Sequence, residues 1–537
     1  MEQTLTHFSL LFPQEDTPCF QLSDTAANDL SLETVSSYLS CSKDEQNRIL
    51  QMLRNVPTDR ETIAYRQSVY GDLKRFPDIF AKLYEIFDQM QFYIRDERTN
   101  GFDSATIWDL VNRLRGLQNY ANSITEMQTL LKGKEFASEG LQKLSAYIDK
   151  IYSDSGFDAM TKDLESLSKG VDTIHSLTLG VNLDANLQPT KVGILSLNRY
   201  DFAERGLLEQ FFDFHRQKVP KSESEPTPFV MFTHQEKYIT GYPSPLMNNL
   251  TEIVEEMMPK VTKHLRKELE KYIDISGMAL AKLGDELLFY MRCISLEEKL
   301  TAHGLPCCIP VISDTDTHFH DFYNVKLALC TENSEQIVCN DLEFTKDKTV
   351  LILTGPNRGG KTILTQAIGL TMLLFQHGIF VPCSSAEIRI CDNIFTHFPA
   401  DENQTVTLGR LGEEAERFSK LWEQATPDSL LLMNESFAST SHSEALYISE
   451  DVLKCLCCLG ARTCFNTHMH ELAEHTEQLL PPDAACGAAS LIMGKRGSSD
   501  AFRIRYEKPN GKSYAHEIAQ KYGITYEQLT QKFQSNS

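Results

Sequence analysis

Up to about Leu300 the chain is written in a helical rhythm. Over Leu30 to Leu53 and Tyr65 to Phe92 apolar residues recur at spacings of three and four between charges, and Pro57 and Pro77 punctuate the runs. The same period predicts helices over Thr106 to Leu131 and Leu141 to Ile174. It then changes. SLTLGVNLDANLQPTKVGILSL, from Ser176 to Leu197, alternates apolar and polar positions about an Asn/Pro-containing turn, the pattern of a small β-hairpin. Val219 to Pro228, which contains KSESEPTP, is polar and Pro-rich and predicts an exposed loop. A long helical region follows from about Pro245 to Leu300, with Pro259 as a start or a kink. Ile275, Met278, Leu283, Leu287, Tyr290, Ile294 and Leu300 keep one face of it apolar. One continuous helix of ~30–40 residues would span ~45–60 Å, a lever-like length; an ordinary helical bundle accounts for the same pattern. After Leu305-Pro306 the rhythm changes again. β-rich runs at Cys308 to Ile312, Leu327 to Cys330 and Val350 to Leu353 lead into alternating strands and helices, the α/β pattern.

A chain of 537 residues implies two or three domains, and no internal repeat or low-complexity tract complicates the division. The N-terminal MEQTLTHFSLLFPQED lacks a basic stretch followed by an apolar one, so no secretory signal is expected. No apolar run reaches membrane-spanning length; Gly369 to Val381 is short and contains Gln376 and His377. The expectation is therefore a cytoplasmic protein without a membrane partner, its fourteen cysteines reduced. Cys455, Cys457, Cys458 and Cys464 invite a metal reading, but Val452, Leu453, Leu456 and Leu459 around them predict a buried helix with Cys as a small hydrophobe. The net charge of −22 argues against a surface coated for nucleic acid, and leaves open a local basic patch or a ring-shaped channel. Lys263, Arg266, Lys267 and Lys271 are candidate phosphate contacts, although Glu268 and Glu270 among them read as a solvated helix face.

Three motifs carry chemistry. Gly355-Pro356-Asn357-Arg358-Gly359-Gly360-Lys361-Thr362 matches the P-loop pattern between a buried-strand run, Thr349 to Leu353, and a helical run, Ile363 to Phe375. Its glycines let successive N–H groups turn toward phosphate oxygens, and the helix dipole adds positive potential there. Lys361 is expected to reach the outer phosphates of ATP, and the Thr362 hydroxyl to ligate Mg²⁺. The second motif is Ser429-Leu-Leu-Leu-Met-Asn434-Glu435, an apolar strand ending in a polar pair, the form of a Walker B segment. Glu435 is expected to act as the general base on the attacking water. Asn434 stands where Asp usually holds hydrated Mg²⁺; its amide oxygen still accepts a hydrogen bond but brings no charge, so weak Mg²⁺ affinity and slow turnover are expected. The third is Asn466-Thr467-His468-Met469-His470-Glu471-Leu472 after an apolar run at Thr463 to Phe465. In this order His468 is expected to sense the γ-phosphate, with His470 as a helix-start residue.

The order and detail of these motifs resemble the MutS family of DNA mismatch-repair proteins. Thr354 to Thr362 reproduces that family's TGPNxGGK(S/T), and Ile368 to Pro382, ending FVPC, resembles the stretch that ends in VPA. Asn434 to Ser441, NESFASTS, aligns with DE-x-GRGTS through Thr440 and Ser441 but not through GRG. Thr467 to Leu472 matches THxxEL, and Lys512-Ser513-Tyr514 with Ala515, Glu517, Ile518 and Ala519 resembles KSYGxxVA. The resemblance covers Pro306 to Tyr522 and implies an all-α part followed by an α/β part: a helical core over 1–125, lever helices with a small β insertion over 126–305, and a P-loop ATPase domain of the ABC type, with a mostly parallel sheet, over 306–537. It further implies Tyr323, in Phe322-Tyr323-Asn324, against the adenine base, and a homodimer through the ATPase domains. In such a dimer Thr407 or Gly409 of Thr405 to Glu414 would face the other copy's nucleotide, although the family's Ser-Thr-Phe-Met form is missing there. No mismatch-reading domain, full DNA clamp or nuclease domain is expected, and Phe202-Ala-Glu204, outside any such domain, is a chance match to the mismatch wedge. Two functions follow. One is a nucleotide-gated dimeric clamp on DNA, branched or recombining DNA more than mismatches, working with repair or recombination proteins. The other is a nucleotide-binding switch or scaffold that hydrolyses little and acts through protein partners. A transporter subunit is disfavoured, since LSGGQ is absent.

Overall fold

The computed structural model describes residues 8–96, 105–172, 176–200, 258–272, 275, 278–331, 334–356, 359–399, 409–494, 501–509, 520 and 522–534. The loop at Val219 to Pro228, Phe202-Ala-Glu204, the start of the long helical region, Asn357, Arg358, Thr405, Thr407 and Lys512 to Ala519 lie outside them. The helices of the first 300 residues divide between two units that cut across chain order. One gathers Lys82–Gly133 with Ser145–Lys282, and the other His7–Ala81 with Lys134–Leu144 and Leu283–Ser537.

In the first unit Thr106 opens the helix Ile107–Leu131 with a capping box. The Asp109 N–H donates to the Thr106 hydroxyl at 3.2 Å and the Thr106 N–H donates to the Asp109 carboxylate at 2.8 Å. Leu110, Leu114, Leu117, Ile124 and Met127 are buried along it at the helical spacing. The expected hairpin is present: Ser176–Leu183 pairs antiparallel with Pro189–Asn198. Its turn is drawn together by Asp184, whose carboxylate accepts from the N–H groups of Asn186 and Gln188 at 2.8 and 2.9 Å. The continuous lever helix is not present. Pro259–Leu269 passes into a 3₁₀ turn, Glu270–Tyr272, Ile275 is not helical, and a further helix begins at Met278. At this break the Arg113 guanidinium donates to the carbonyls of Tyr272 and Ile275 at 2.8 and 2.6 Å, and the Tyr272 carbonyl also accepts from the Ile275 N–H at 3.2 Å. The later part of that region, Leu283–Ala302, is a separate helix of 20 residues in the second unit.

The second unit is built around the helix Lys361–Gln376. Of its 16 residues, 14 are buried, so both of its faces must be covered. One face meets a six-stranded sheet in the order Ile394–His397, Leu430–Asn434, Arg462–Asn466, Val350–Thr354, Ala488–Met493 and Ile504–Arg505. The first five strands are parallel and the last is antiparallel, the mostly parallel sheet that the alternating pattern predicts. Every residue of Val350–Thr354, Leu430–Asn434 and Arg462–Asn466 is buried, as parallel strands covered on both faces require. The other face of the helix is covered by the N-terminal segment. Gln366 donates to the Asp29 carbonyl at 2.7 Å and Gln376 to the Pro57 carbonyl at 2.8 Å.

A second, mixed sheet runs Val311–Ser313, Ser385–Arg389, Thr317–Phe322 and Asn340–Phe344. Buried Arg462 stitches its Thr317 and Arg389 to the large sheet, donating to the Arg389 and Ile390 carbonyls at 2.6 and 2.8 Å and to the Thr317 hydroxyl at 3.2 Å. Two β-runs need correction. Leu327 to Cys330 is helical, within Val325–Cys330, because the Asn324 side chain caps that helix by accepting from the Leu327 N–H at 2.9 Å. Cys308 makes only an isolated bridge to Val381, and the strand starts at Val311. Cys455, Cys457 and Cys458 lie on the helix His442–Leu459 and Cys464 on a strand; among the described residues no group of three or more His, Cys, Asp or Glu is placed to hold a metal. Among them, too, no helix is long and apolar enough to cross a membrane.

Candidate nucleotide-binding site

The carboxyl ends of the parallel strands bring the three motifs together. Asn434 pairs in register with Asn466, and Asn466 with Leu353, so the Walker B end, the THxxEL approach and the P-loop strand finish side by side. This is the edge at which open α/β sheets form a ligand crevice. Gly360 caps the helix Lys361–Gln376 at φ +93°, a left-handed conformation open to glycine. The first turn beyond it has backbone N–H groups without intrahelical acceptors. Lys361 is buried, and its ammonium donates to the Gly355 carbonyl at 3.1 Å. Burial lowers its pKa, and the nearby Glu435 carboxylate works against that shift.

Asn434 is buried, and its Oδ1 accepts from the Thr362 hydroxyl at 3.1 Å and also from Asn466 Nδ2. One neutral oxygen thus serves two donors where a carboxylate would offer two charged ones. Beside it Asn466 Oδ1 is buried without a hydrogen-bond partner, an arrangement that costs about 1–3 kcal/mol unless something else supplies a donor or cation.

Glu435 follows in an unusual backbone. Its φ is +50°, and Phe437 has φ +62°. Each left-handed L-residue costs roughly 1–2 kcal/mol, and such strain collects at functional sites. The Glu435 N–H donates to the Asn466 carbonyl at 2.8 Å. Its carboxylate Oε1 lies 2.7 Å from His468 Nε2. That hydrogen bond, above all, holds the Glu435 carboxyl below its ordinary value; burial opposes it, and the charges of His468 and Lys361 assist. Glu435 is therefore ionised at neutral pH. His470 opens the short helix His470–Glu474, its Nδ1 buried without a partner.

Lys361, Thr362, Glu435 and His468 line one cavity of about 1040 Å³. Gly360 joins them, and Tyr323, Leu327, Val338 and Phe502 supply apolar lining among polar groups such as Asn324 and Gln336. Tyr323 is 2 % exposed, with its hydroxyl 3.5 Å from Cys307 Sγ, so its ring is mostly committed to the fold. Phe502 escaped the sequence reading. Asn340 holds its segment in place, donating to the Phe502 carbonyl at 3.2 Å and accepting from the Ile504 N–H at 2.7 Å. The Phe502 ring lies so close to the P-loop that a Cβ on Gly360 would meet it at 3.2 Å. No local pattern in Ala501-Phe502-Arg503 announces this, because the contact joins positions more than a hundred residues apart.

Residues 351–530 match the family profile described as MutS domain V, and residues 58–303 match the MutS2 N-terminal domain. The DNA mismatch repair protein MutS of Chlorobaculum tepidum is 26% identical over 370 residues, 67% of this chain and 40% of that protein. The proteins of the same name from Chlorobium chlorochromatii and Chlorobium phaeobacteroides are 38% identical over 146 residues and 40% identical over 138. Those two alignments take in 27% and 26% of this chain, and 17% and 16% of the relatives, so the chain spans well under half the length of each of these three. The P-loop sheet and the helical part upstream of it each carry the mark of one lineage, and the chain belongs to the MutS family.

Proposed function

We propose that this protein is a MutS-type ATPase that binds Mg·ATP in the cavity under Gly360 and Phe502 and hydrolyses it with Glu435 as the general base. The observation that carries the reading is that Lys361, Thr362 and the Glu435–His468 pair line one cavity, with Asn434 bonded behind Thr362. Lys361 exchanges its bond to the Gly355 carbonyl for the outer phosphates, while the P-loop N–H groups take up the remaining phosphate oxygens. The donor set suits Mg²⁺: the Thr362 hydroxyl and the Asn434 amide oxygen would hold it, and Asn466 Oδ1, buried and unpartnered, offers an acceptor beside them. The ion supplies charge neutralisation at the β- and γ-phosphates. Glu435, kept ionised by His468, takes the proton of the attacking water, and His468 stands where it can register the γ-phosphate. Tyr323 and Phe502 bound the base end, with Phe502 the more available ring.

Coupling to DNA, and pairing of two copies across the nucleotide, enter by resemblance to the mismatch repair relatives. Steady-state ATP hydrolysis with and without duplex, mismatched and four-way DNA tests both, with Glu435→Gln as control. Turnover that needs Glu435 and rises with one DNA form is expected; turnover indifferent to every DNA removes the clamp. A second reading, the switch or scaffold with little hydrolysis, is favoured by the neutral Asn434. Tight ATP binding with background turnover would select it.

A further inference from the structure

Ser436, between the two strained residues Glu435 and Phe437, is held by a group that the three motifs do not contain. His397, at the end of the strand Ile394–His397, is 2 % exposed and places Nδ1 2.7 Å from the Ser436 hydroxyl. Its Nε2 lies 3.0 Å from the Glu414 carbonyl on the helix Gly409–Trp422. A carbonyl can only accept, so Nε2 carries the proton. Burial keeps the ring neutral by pushing its pKa down to about 4, so Nδ1 is an acceptor, and the Ser436 hydroxyl divides its one proton between that nitrogen and the His397 carbonyl at 3.0 Å. The imidazole also lies against Phe437, centroids 5.4 Å apart at 31°, and Phe418 of the same helix closes on both rings at 6.1 and 5.6 Å. His397 thus grips both residues that follow Glu435 and bonds them to one helix.

We propose that His397 is a positioning residue: through Ser436 and Phe437 it fixes the left-handed backbone that aims Glu435, and through Glu414 it makes that aim depend on where the helix Gly409–Trp422 sits. The inference deepens the ATPase reading and rests on it for the reaction. Gly409, the first residue of that helix, lies within Thr405 to Glu414, the segment expected to face a second copy's nucleotide, so a contact there is passed along the helix to the general base. Strain at Glu435 persists only while neighbours over-determine it, and the His397 ring adds its hold on Ser436 and Phe437 to the restraints given by the Asn466 and His397 carbonyls and by Phe418.

The test uses the full chain with His397→Phe, which keeps a ring against Phe437 and the backbone carbonyl that accepts from Ser436 but loses both side-chain hydrogen bonds; Ser436→Ala; and His397→Asn, whose amide retains a side-chain partner for Ser436. Two quantities are measured: steady-state kcat and KM for ATP, and hydrogen exchange of the Glu435–Phe437 amides. His397→Phe and Ser436→Ala should lower kcat about 10-fold or more with KM changed less than about 2-fold, since a misplacement near 1 Å can cost up to about 10²-fold. His397→Asn should recover most of that loss. Adding His397→Phe to Glu435→Gln should lower turnover no further. Exchange at Glu435–Phe437 should quicken in the first two variants. Unchanged exchange overturns the proposal whatever the turnover does, and faster exchange with unchanged kcat overturns the positioning role. If the wild type itself shows no turnover, the ATPase reading fails instead, and the exchange result alone decides the latch.

Discussion

The two ends of the helix Lys361–Gln376 are finished in opposite ways. At its C-terminus Gln376 donates to the Pro57 and Cys391 carbonyls at 2.8 and 3.0 Å and accepts from the Cys391 N–H at 3.1 Å. His377 follows, its Nδ1 accepting a hydrogen bond from the Arg66 guanidinium at 3.0 Å and its Nε2–H donating to the Leu53 carbonyl at 3.0 Å. Arg66 is itself buried, spends its Nε on the Leu11 carbonyl at 2.7 Å, and lies over the Phe12 ring. The chain then turns through Gly378 at φ +67°, where a Cβ would stand 2.3 Å from that of Arg66. The N-terminal end has Lys361 resting on a backbone carbonyl, Asn466 Oδ1 without a partner, and Glu435 in a strained backbone at the edge of a cavity. The same helix therefore joins a closed polar network to an open one. Groups left over at one end can stay oriented because the other end is fixed, the relation between a supporting shell and a working one.

The comparison can be broken at either end. The largest effect is expected from Glu435→Gln, which should lower ATP turnover by about 10²–10⁴-fold with nucleotide affinity nearly kept. Persistent turnover in that variant would mean that the open end is not a hydrolytic site. Next comes Arg66→Ala, which strands the His377 Nδ1 and the Leu11 carbonyl in the core; a loss of about 3–5 kcal/mol is expected in urea denaturation. A loss under 1 kcal/mol would show that the closed end is not a clamp.

Acid should act on the closed end before the open one. Burial, with Arg66 assisting, pushes His377 down to about 3 from an ordinary value near 6.5, so the unfolded chain binds the extra proton between those limits. The stability that neutral His377 contributes is complete above about pH 6.5. It falls by about 1.4 kcal/mol for each pH unit below that, until about pH 3. Denaturation at pH 7, 6 and 5 should show this slope, and His377→Gln should remove its share. Asn434→Asp sharpens the comparison at the open end: the Mg²⁺ needed for half-maximal turnover should fall about 10-fold, equal to 1.4 kcal/mol, and identical Mg²⁺ titrations would dismiss the role given to the missing charge. The smallest effect is that of His468→Ala. Without its main hydrogen bond the Glu435 carboxyl moves up toward its ordinary range, and the acid limb of the pH–rate profile should move up with it.

What the sequence made legible at this helix follows the same divide. The open end is a local pattern: Gly355 to Thr362 between a five-residue buried strand and a helix can be read within one stretch, and so can the polar pair that ends Leu430–Asn434. The closed end is assembled from Leu11, Leu53, Arg66 and His377, four stretches that no spacing rule connects, and a buried Arg looks on paper like any surface Arg. His397 and Phe502 were hidden for the same reason. Leu327 to Cys330 misled in another way, since four apolar-leaning residues fit strand and helix alike, and the Asn324 cap decides. One continuous helix fitted the pattern because apolar residues recur along the sequence from Ile275 to Leu300, whereas Arg113, far upstream, holds the Tyr272 and Ile275 carbonyls where the helix is interrupted.

The ring of His377 also offers a window onto the molecule at work. Nδ1 is committed to Arg66 and Nε2–H to Leu53, so the imidazole is locked in one tautomer, sealed from water and uncharged at every working pH. A ring proton caged in this way exchanges slowly enough to give its own nuclear magnetic resonance signal. With ¹⁵N-histidine the nitrogen pair reports its tautomer directly, set apart from the exposed histidines of the chain. Nucleotide added at the far end of the helix, about four and a half turns away, should leave that resonance standing if the helix moves as a rigid rod, and shift or broaden it if a nucleotide-driven change reaches this far.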